Sequence, residues 1–171
     1  AGRPVRVGLI GAGKFGSMIL SQAQHIEGMH IVGVADLDVA KARASLARVG
    51  WPAERYSAKT LSEAVKTGKT CVLDNAAALA DCAEIECIVE APGHPIAGVR
   101  HALAAIDGNK HVVMVNVEAD AMCGPLLAAR ARAKNLVYSM AYGDQPAIIC
   151  ELVDWARACG FELTSAGKGM N

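Results

Sequence analysis

The sequence predicts an α/β fold, a doubly wound parallel sheet with helices on both faces. Three observations lead to this prediction. An apolar run at residues 5–10 enters a glycine-rich stretch that an amphipathic segment follows, and a second apolar run ends at Asp36. Further short apolar runs then alternate with helical patterns along the chain. Repeated strand–helix units form parallel sheets with right-handed crossovers, so the pattern is that of a Rossmann-type fold.

The glycine-rich stretch, GAGKFG, is the most specific feature of the chain. We expect Gly11 to allow a tight turn out of the first strand and Gly13 to let a pyrophosphate approach the backbone. Gly16 would let the following helix lie close to the sheet. The N-terminus of that helix offers unpaired N–H groups and a partial positive charge to phosphates. The sequence therefore predicts a dinucleotide-binding turn, with Lys14 and Phe15 as further cofactor contacts.

Asp36 closes the second predicted strand, His30–Ala35, twenty residues beyond Gly16. A carboxylate at this place can accept hydrogen bonds from a ribose hydroxyl and repels a 2′-phosphate. Local electrostatics therefore favour NAD over NADP, unless Lys41 and Arg43 turn towards the nucleotide. The alternative is a glycine turn in some other α/β protein, in which Asp36 only caps the next helix.

The next elements follow from their residue types. The segment 39–49 is an alanine-rich helix that Gly50-Trp51-Pro52 stops. Residues 56–57 and 70–73 are short strand candidates, and 61–67 and 76–80 are short helices. The apolar run 86–90 is a buried strand that ends at Ala91-Pro92-Gly93.

The remaining elements repeat this alternation. Apolar residues at helical spacing predict a helix over 96–106, and 111–115 is the next strand. A helix over 119–135 and a strand over 136–139 follow. The last helix is predicted from Asp144 to Gly160, with Pro146 in its first turn where a missing N–H is tolerated. Residues 161–165 are the final strand candidate.

In such sheets ligands bind beyond the carboxyl ends of the strands. The predicted ends, which should line one cleft, are Gly11, Asp36, Ala91-Pro92-Gly93, Asn116 and Ala141-Tyr142-Gly143. Ala91, Pro92, Gly93 and Asn116 are therefore added to the expected cofactor contacts.

Three residues near this edge are candidate catalytic groups. Glu118 and Asp120 follow Asn116 at the start of a helix, where paired carboxylates could bind Mg²⁺ or Mn²⁺ or act as acid and base. The alternative is that acidic residues simply favour a helix N-terminus. Lys168, between two glycines, could bind a substrate phosphate or polarise a carbonyl, or be a solvated lysine. The candidates are Glu118, Lys168 and Asn116.

Composition limits the classes of partner. Seventeen basic residues balance seventeen acidic ones, so no net field favours nucleic acid or an anionic membrane. Charges interrupt every apolar stretch before membrane-spanning length, and no signal peptide is visible, so we expect a cytoplasmic protein. Six cysteines without CxxC spacing predict buried free thiols rather than a zinc site or disulfides.

Several segments together resemble a known group of enzymes. They are GLIGAGKFGSM, VGVADLD, IVEAPGHP, VNVEADAMCGPLLA, YSMAYGDQPAIICELVDWARACGFE and AGKG. They are similar to the N-terminal domain of homoserine-dehydrogenase-like oxidoreductases. The closer resemblance is to the subgroup of 1-deoxy-D-xylulose 5-phosphate reductoisomerase-like proteins of isoprenoid biosynthesis.

This resemblance implies an NADP-dependent reductase, with NAD left open by Asp36, a divalent metal, and a phosphorylated sugar or aldehyde as substrate. It also implies a homo-oligomer and a nicotinamide near Asn116 and Glu118. Residues 1–171 would then be the dinucleotide-binding domain of a longer oxidoreductase whose substrate and dimerisation domain is absent. We expect this part to be inactive alone. The alternative function is a non-catalytic nucleotide-binding module for regulation or oligomerisation.

Overall fold

A parallel sheet forms the centre of the molecule. In the computed structural model, residues 2–142 and 145–167 are described. The sheet has six strands in the order β3-β2-β1-β4-β5-β6, and every neighbouring pair is parallel. The strands are β1 (Val5–Ile10), β2 (Met29–Ala35), β3 (Cys71–Leu73), β4 (Cys87–Glu90), β5 (His111–Met114) and β6 (Tyr138–Met140). The predicted fold class is thus confirmed.

Helices cover both faces of this sheet. They are α1 (Lys14–Ala23), α2 (Val39–Arg48), α3 (Leu61–Thr67), α4 (Ala76–Asp81), α5 (Pro95–Asp107), α6 (Val117–Ala133) and α7 (Gln145–Ala158). On one face α1 and α2 bury Leu20 and Leu46 against β1 and β2. On the other face α4, α5 and α6 bury Leu79, Ile106 and Leu127. The double winding leaves the carboxyl edge of the sheet open between β1 and β4, where the strand order reverses.

Two predicted strands are wrong. Residues 56–57 do not form a strand, because a 3₁₀ helix over Ala53–Tyr56 places Tyr56 in the core. Ala58 alone makes an isolated parallel bridge to Cys71. The segment 161–165 is exposed and has no strand structure, since within the described residues no sheet edge pairs with its backbone. Its alternating apolar residues therefore matched a strand pattern without a neighbouring strand.

The cysteines are less buried than the sequence suggests. Cys71 is buried, and Cys82, Cys87 and Cys123 are half-buried. Burial raises the pKa of the Cys87 thiol to about 11. Cys150 and Cys159 are exposed, so the expectation of buried thiols is wrong for both. Both belong to or follow α7, in which none of the described side chains is buried.

None of the helices in the described part of the chain is both long and apolar enough to cross a membrane.

Candidate functional site

The ends of the strands meet along one edge of the sheet. Short backbone hydrogen bonds join each end to its neighbour: Asp36 N to Leu73 O (3.0 Å), Gly11 N to Ala35 O (2.8 Å), Ala91 N to Ile10 O (2.9 Å), Val115 N to Glu90 O (2.9 Å) and Ala141 N to Met114 O (2.9 Å). The loops that follow these strands therefore start side by side. In this fold, that edge is where ligands bind.

The glycine turn after β1 is tightly packed at Gly16 and open at Gly13. Gly11 has a φ of +89°, which only glycine adopts without strain. A Cβ on Gly16 would lie 2.1 Å from the carbonyl oxygen of Gly11. The helix α1 therefore lies closer to the turn than any side chain at position 16 would allow. A Cβ on Gly13, in contrast, would meet nothing within 4 Å. Gly13 thus leaves open space outside the turn, as a backbone that receives a pyrophosphate should.

The first turn of α1 carries no acidic side chain of its own. The first helical hydrogen bond of α1 runs from Ser17 N to Gly13 O, at 2.9 Å. The backbone amides of residues 14–16 therefore have no partner within the helix. The first turn has no acidic residue, and it begins with the exposed Lys14. A cation at this end opposes the helix dipole, but it suits a bound phosphate.

Two residues that sequence reasoning missed support this turn. The Ser17 hydroxyl, buried beneath the turn, donates to Gly13 O at 2.8 Å. The Arg48 guanidinium on α2 donates in turn to Ser17 Oγ at 2.9 Å. Ser17 lies in the quoted motif segment, but its partner is 31 residues away, and no local pattern links the two.

Asp36 lies at the end of β2, beside the turn. Its Oδ2 accepts from Ala12 N at 2.8 Å, and its Oδ1 accepts from Asp38 N at 3.0 Å. The half-buried carboxylate retains lone pairs for further donors, because each oxygen can accept more than one hydrogen bond. It therefore fits a ribose hydroxyl.

The two cations that might offset Asp36 differ in position. Arg43 donates to Tyr56 O at 3.2 Å, and its guanidinium carbon lies 5.9 Å from the centre of the Tyr56 ring. The Lys41 amide donates to Asp38, which caps α2, and the Lys41 side chain is exposed. Arg43 is thus held against Tyr56 rather than beside Asp36.

Asn116 connects the two loops on the other side of the cleft. It is 3% exposed and caps α6, its Oδ1 accepting from Ala119 N at 3.1 Å. Its Nδ2 donates to His94 O at 3.1 Å, at the start of α5. A Cβ on Gly98 would lie 2.6 Å from that Nδ2, so this glycine makes room for the amide. The side chain therefore positions the 91–94 loop.

We expect Asn116→Ala to lower the free energy of unfolding by about 2 kcal/mol, because it removes both the helix cap on Ala119 N and the side-chain hydrogen bond to His94 O. Urea unfolding measures the change. Asn75→Ala is the matched control, since Asn75 is exposed and caps α4 through a single bond to Ala77 N. Equal losses for the two variants would contradict the linking role of Asn116.

The carboxylates of α6 do not form a pair. Asp120 accepts from the Tyr138 hydroxyl at 2.8 Å, while Glu118 is exposed. Burial, reinforced by the bond to Asp120, raises the pKa of Tyr138. No group of three or more potential metal-ligating side chains occurs in residues 2–142 and 145–167. The Mg²⁺ or Mn²⁺ expectation therefore has no support from these carboxylates.

His94 caps α5, where its Nδ1 accepts from Ala97 N at 3.3 Å. Lys168, Asp144 and Gly143 lie outside the described residues.

Comparison with known proteins gives two kinds of match. A protein-family model described as "Oxidoreductase DRL, catalytic domain" matches residues 143–171. This range includes most of the YSMAYGDQPAIICELVDWARACGFE segment that carries the sequence resemblance. A search of curated sequences gives no match.

Solved structures share the fold. A homoserine dehydrogenase from Thiobacillus denitrificans superposes with a TM-score of 0.66 at 24% identity, over 91% of this chain and 34% of that one. A 3-ketoreductase from Actinomadura kijaniata, in complex with TDP-benzene and NADP, gives 0.62 at 16% identity, over 90% and 43%. A scyllo-inositol dehydrogenase from Lactobacillus casei, with bound NAD(H) and scyllo-inositol, gives 0.58 at 14% identity, over 91% and 42%. The chain therefore has the fold of NAD(P)-binding oxidoreductases and spans less than half the length of these structures.

Proposed function

We propose that this chain binds a nicotinamide dinucleotide and belongs to an NAD(P)-dependent oxidoreductase. The observation that carries the proposal is the contrast within the glycine turn: Gly16 is packed against Gly11, whereas the space outside Gly13 is open. Backbone amides at the start of α1 and the exposed Lys14 would bind the pyrophosphate. Gly11, Phe15 and Gly16 shape the turn that holds it.

The remaining site residues take different roles in this proposal. The loop Ala91-Pro92-Gly93 and Asn116, the N-cap of α6, would border the nicotinamide half of the cofactor, which supplies a hydride when bound. Asn116 positions the loops rather than reacting, because both ends of its amide are already hydrogen-bonded. Glu118, exposed in the first turn of α6, is the proposed acid–base group, and Lys168 is the proposed phosphate or carbonyl contact.

Our proposals for the substrate class and the reaction rest on the sequence resemblance alone. We propose reduction of an aldehyde or a phosphorylated sugar, as in reductoisomerase-like proteins. A cytoplasmic location and a homo-oligomeric state of the complete protein stay predictions.

We place the domain boundary between β6 and α7. The family match starts at residue 143, and none of the described side chains of α7 is buried. Trp155 and Leu152 are 70% and 58% exposed, as expected for a helix that packs against another part of a catalytic domain. The nucleotide-binding unit would then end near residue 142, earlier than the 1–171 range predicted from sequence.

Binding is tested by thermal unfolding with 1 mM NADH, NADPH or AMP. A ligand at 100 times its dissociation constant stabilises the folded state by about 2.7 kcal/mol, so the midpoint should rise clearly. Absence of a shift with both dinucleotides would overturn the proposal. Binding by the complete protein without hydride transfer to aldehydes or phosphorylated sugars would favour a regulatory module instead.

Within this function, we propose that NAD(H) is preferred to NADP(H). The residues at the end of β2 are Asp36, Leu37 and Asp38, so two carboxylates lie where a 2′-phosphate would enter. Arg43 is directed to Tyr56, and within the described part of the chain it makes no ion pair with Asp36. The NADP dependence implied by the resemblance would require Lys41 to reach the ribose.

Asp36→Asn is expected to raise the ratio of NADPH to NADH affinity by about tenfold, roughly 1.4 kcal/mol, because it removes a charge and retains an acceptor for Ala12 N. Titration calorimetry with both nucleotides measures this ratio. Asp107→Asn is the control, since Asp107 ends α5 and pairs with Lys134. An unchanged ratio in Asp36→Asn would show that Asp36 does not set cofactor choice.

A further inference from the structure

A carboxylate is buried at the end of β4, directly before the 91–93 loop. Glu90 is 0% exposed, and its Oε1 lies 3.0 Å from Nδ1 of His101 on α5. Its Oε2 has no hydrogen-bond partner, and it is the one buried side-chain oxygen or nitrogen of which this is true in the described part of the chain. Since buried polar atoms in native proteins are nearly always paired, this arrangement requires an explanation.

Glu90 occupies a structural junction. Its carbonyl accepts from Val115 N at 2.9 Å, and the next amide, of Ala91, donates to Ile10 O at 2.9 Å. The residue therefore fixes β4 between β5 and β1, at the point where the strand order reverses. The proposed cofactor loop begins one residue later, and α5 begins at Pro95. The contact with His101 thus ties the strand before the loop to the helix after it.

The surroundings of Glu90 offer little compensation for its charge. Glu90 lies on the same face of β4 as Ile88, the face that Ile88 turns to the apolar core. Tyr138 on β6 is close enough for the charge of Glu90 to contribute to raising its pKa, but its hydroxyl donates to Asp120. Within residues 2–142 and 145–167, His101 is the sole side chain that hydrogen-bonds to Glu90.

Packing alone would favour an apolar residue at this position. A buried carboxylate with an unpaired oxygen is destabilising, and well-packed apolar replacements of buried ion pairs are often neutral or stabilising. What an apolar pair would not supply is a directional link of fixed length between β4 and α5. Binding sites depend on such supporting contacts to hold their loops in the geometry that the ligand needs.

We propose that Glu90 and His101 form a positioning pair that holds the Ala91-Pro92-Gly93 loop in its cofactor-binding geometry. The inference rests on the proposed function, because the loop is assigned to the cofactor there. Both residues act through the loop: the Glu90 side chain is fully enclosed, and His101 lies on the second turn of α5.

The double variant Glu90→Met/His101→Leu separates positioning from stability. Its urea midpoint should equal or exceed that of the wild-type chain. Its NADH dissociation constant, followed by nucleotide fluorescence, should rise by about tenfold, because displacement of a site by an ångström or less weakens what it binds. Glu90→Gln, which keeps an acceptor for His101, should retain affinity to within about threefold. If the pair were purely structural, the double variant would change the urea midpoint and leave the NADH affinity unaltered.

Lys134→Met is the matched control. Lys134 links α6 to the far end of α5 through Ile106 O at 3.1 Å, away from the loop, and its loss should leave NADH affinity unchanged. If the double variant does not fold, Glu90→Met alone takes its place, since it removes the buried charge and leaves His101, whose side chain is 26% exposed, to be hydrated. Wild-type affinity in either folded variant would overturn the inference. Failure of the wild-type chain to bind NADH and NADPH would instead overturn the proposed function.

Discussion

Gly13→Ala is expected to weaken NADH binding by about 100-fold, roughly 2.7 kcal/mol, while the fold stays intact. The new methyl group would project into the space outside the glycine turn, where no protein atom lies within 4 Å. A pyrophosphate bound to the amides at the start of α1 would occupy the same space. The free energy of unfolding should fall by about 1 kcal/mol, since Gly13 is the N-cap of α1 and alanine is a poorer N-cap than glycine. Titration calorimetry and urea unfolding measure the two quantities separately.

Gly28→Ala is the control for this experiment. Gly28 also has open space around its Cβ position, but it lies before β2, on the opposite edge of the sheet. Both its stability and its NADH affinity should match the wild-type chain. If Gly13→Ala binds NADH as tightly as Gly28→Ala, the phosphates do not approach the backbone at this turn, and the proposed site is in the wrong place.

The glycine turn was predictable because its determinants are consecutive in the chain. A strand, three glycines and a helix follow one another, and each glycine answers a local steric demand. Asp36 was predictable for a similar reason, since the end of the next strand in the sheet must lie beside the turn. Its hydrogen bond to Ala12 N shows how closely the two meet.

The supporting contacts could not be predicted from sequence, because tertiary packing creates them. Arg48 reaches Ser17 only because α1 and α2 lie on the same face of the sheet. Glu90 and His101 meet because α5 packs against β4, although they lie eleven positions apart in the sequence. The one signal in the sequence was Glu90 itself. This acidic residue ends the apolar run CIVE, where a carboxylate is not expected to face solvent.

The errors in the predicted elements arise where a local sequence pattern has no neighbouring element to pair with in the described part of the chain. Residues 161–165 carry an alternating pattern that suits a strand, but a strand forms only where a neighbouring backbone accepts its hydrogen bonds. In α7 the apolar side chains of Trp155 and Leu152 are exposed. Both segments fall within residues 143–171, where the catalytic-domain match lies. Local pattern therefore predicted the fold class well and predicted packing partners poorly.

Gly16→Ala is expected to lower the free energy of unfolding by about 3 kcal/mol, the upper end of the usual cost of overpacking. Helix propensity alone predicts the opposite sign, because alanine stabilises a helix interior by about 1 kcal/mol relative to glycine. The steric effect should dominate, since the new Cβ would lie 2.1 Å from the Gly11 carbonyl oxygen. That neighbour is backbone, fixed by a φ of +89° and by the bond from Gly11 N to Ala35 O.

The position of the Gly11 carbonyl thus determines whether Gly16→Ala stabilises or destabilises the fold. Urea unfolding measures this change in the free energy of unfolding. Gly13→Ala, three residues earlier, serves as the matched control, because it adds the same methyl group where there is space for it. A stability for Gly16→Ala equal to or above that of the wild-type chain would mean that α1 can move away from the turn. In that case the close approach of helix to turn would not be what fixes the amides at the phosphate site.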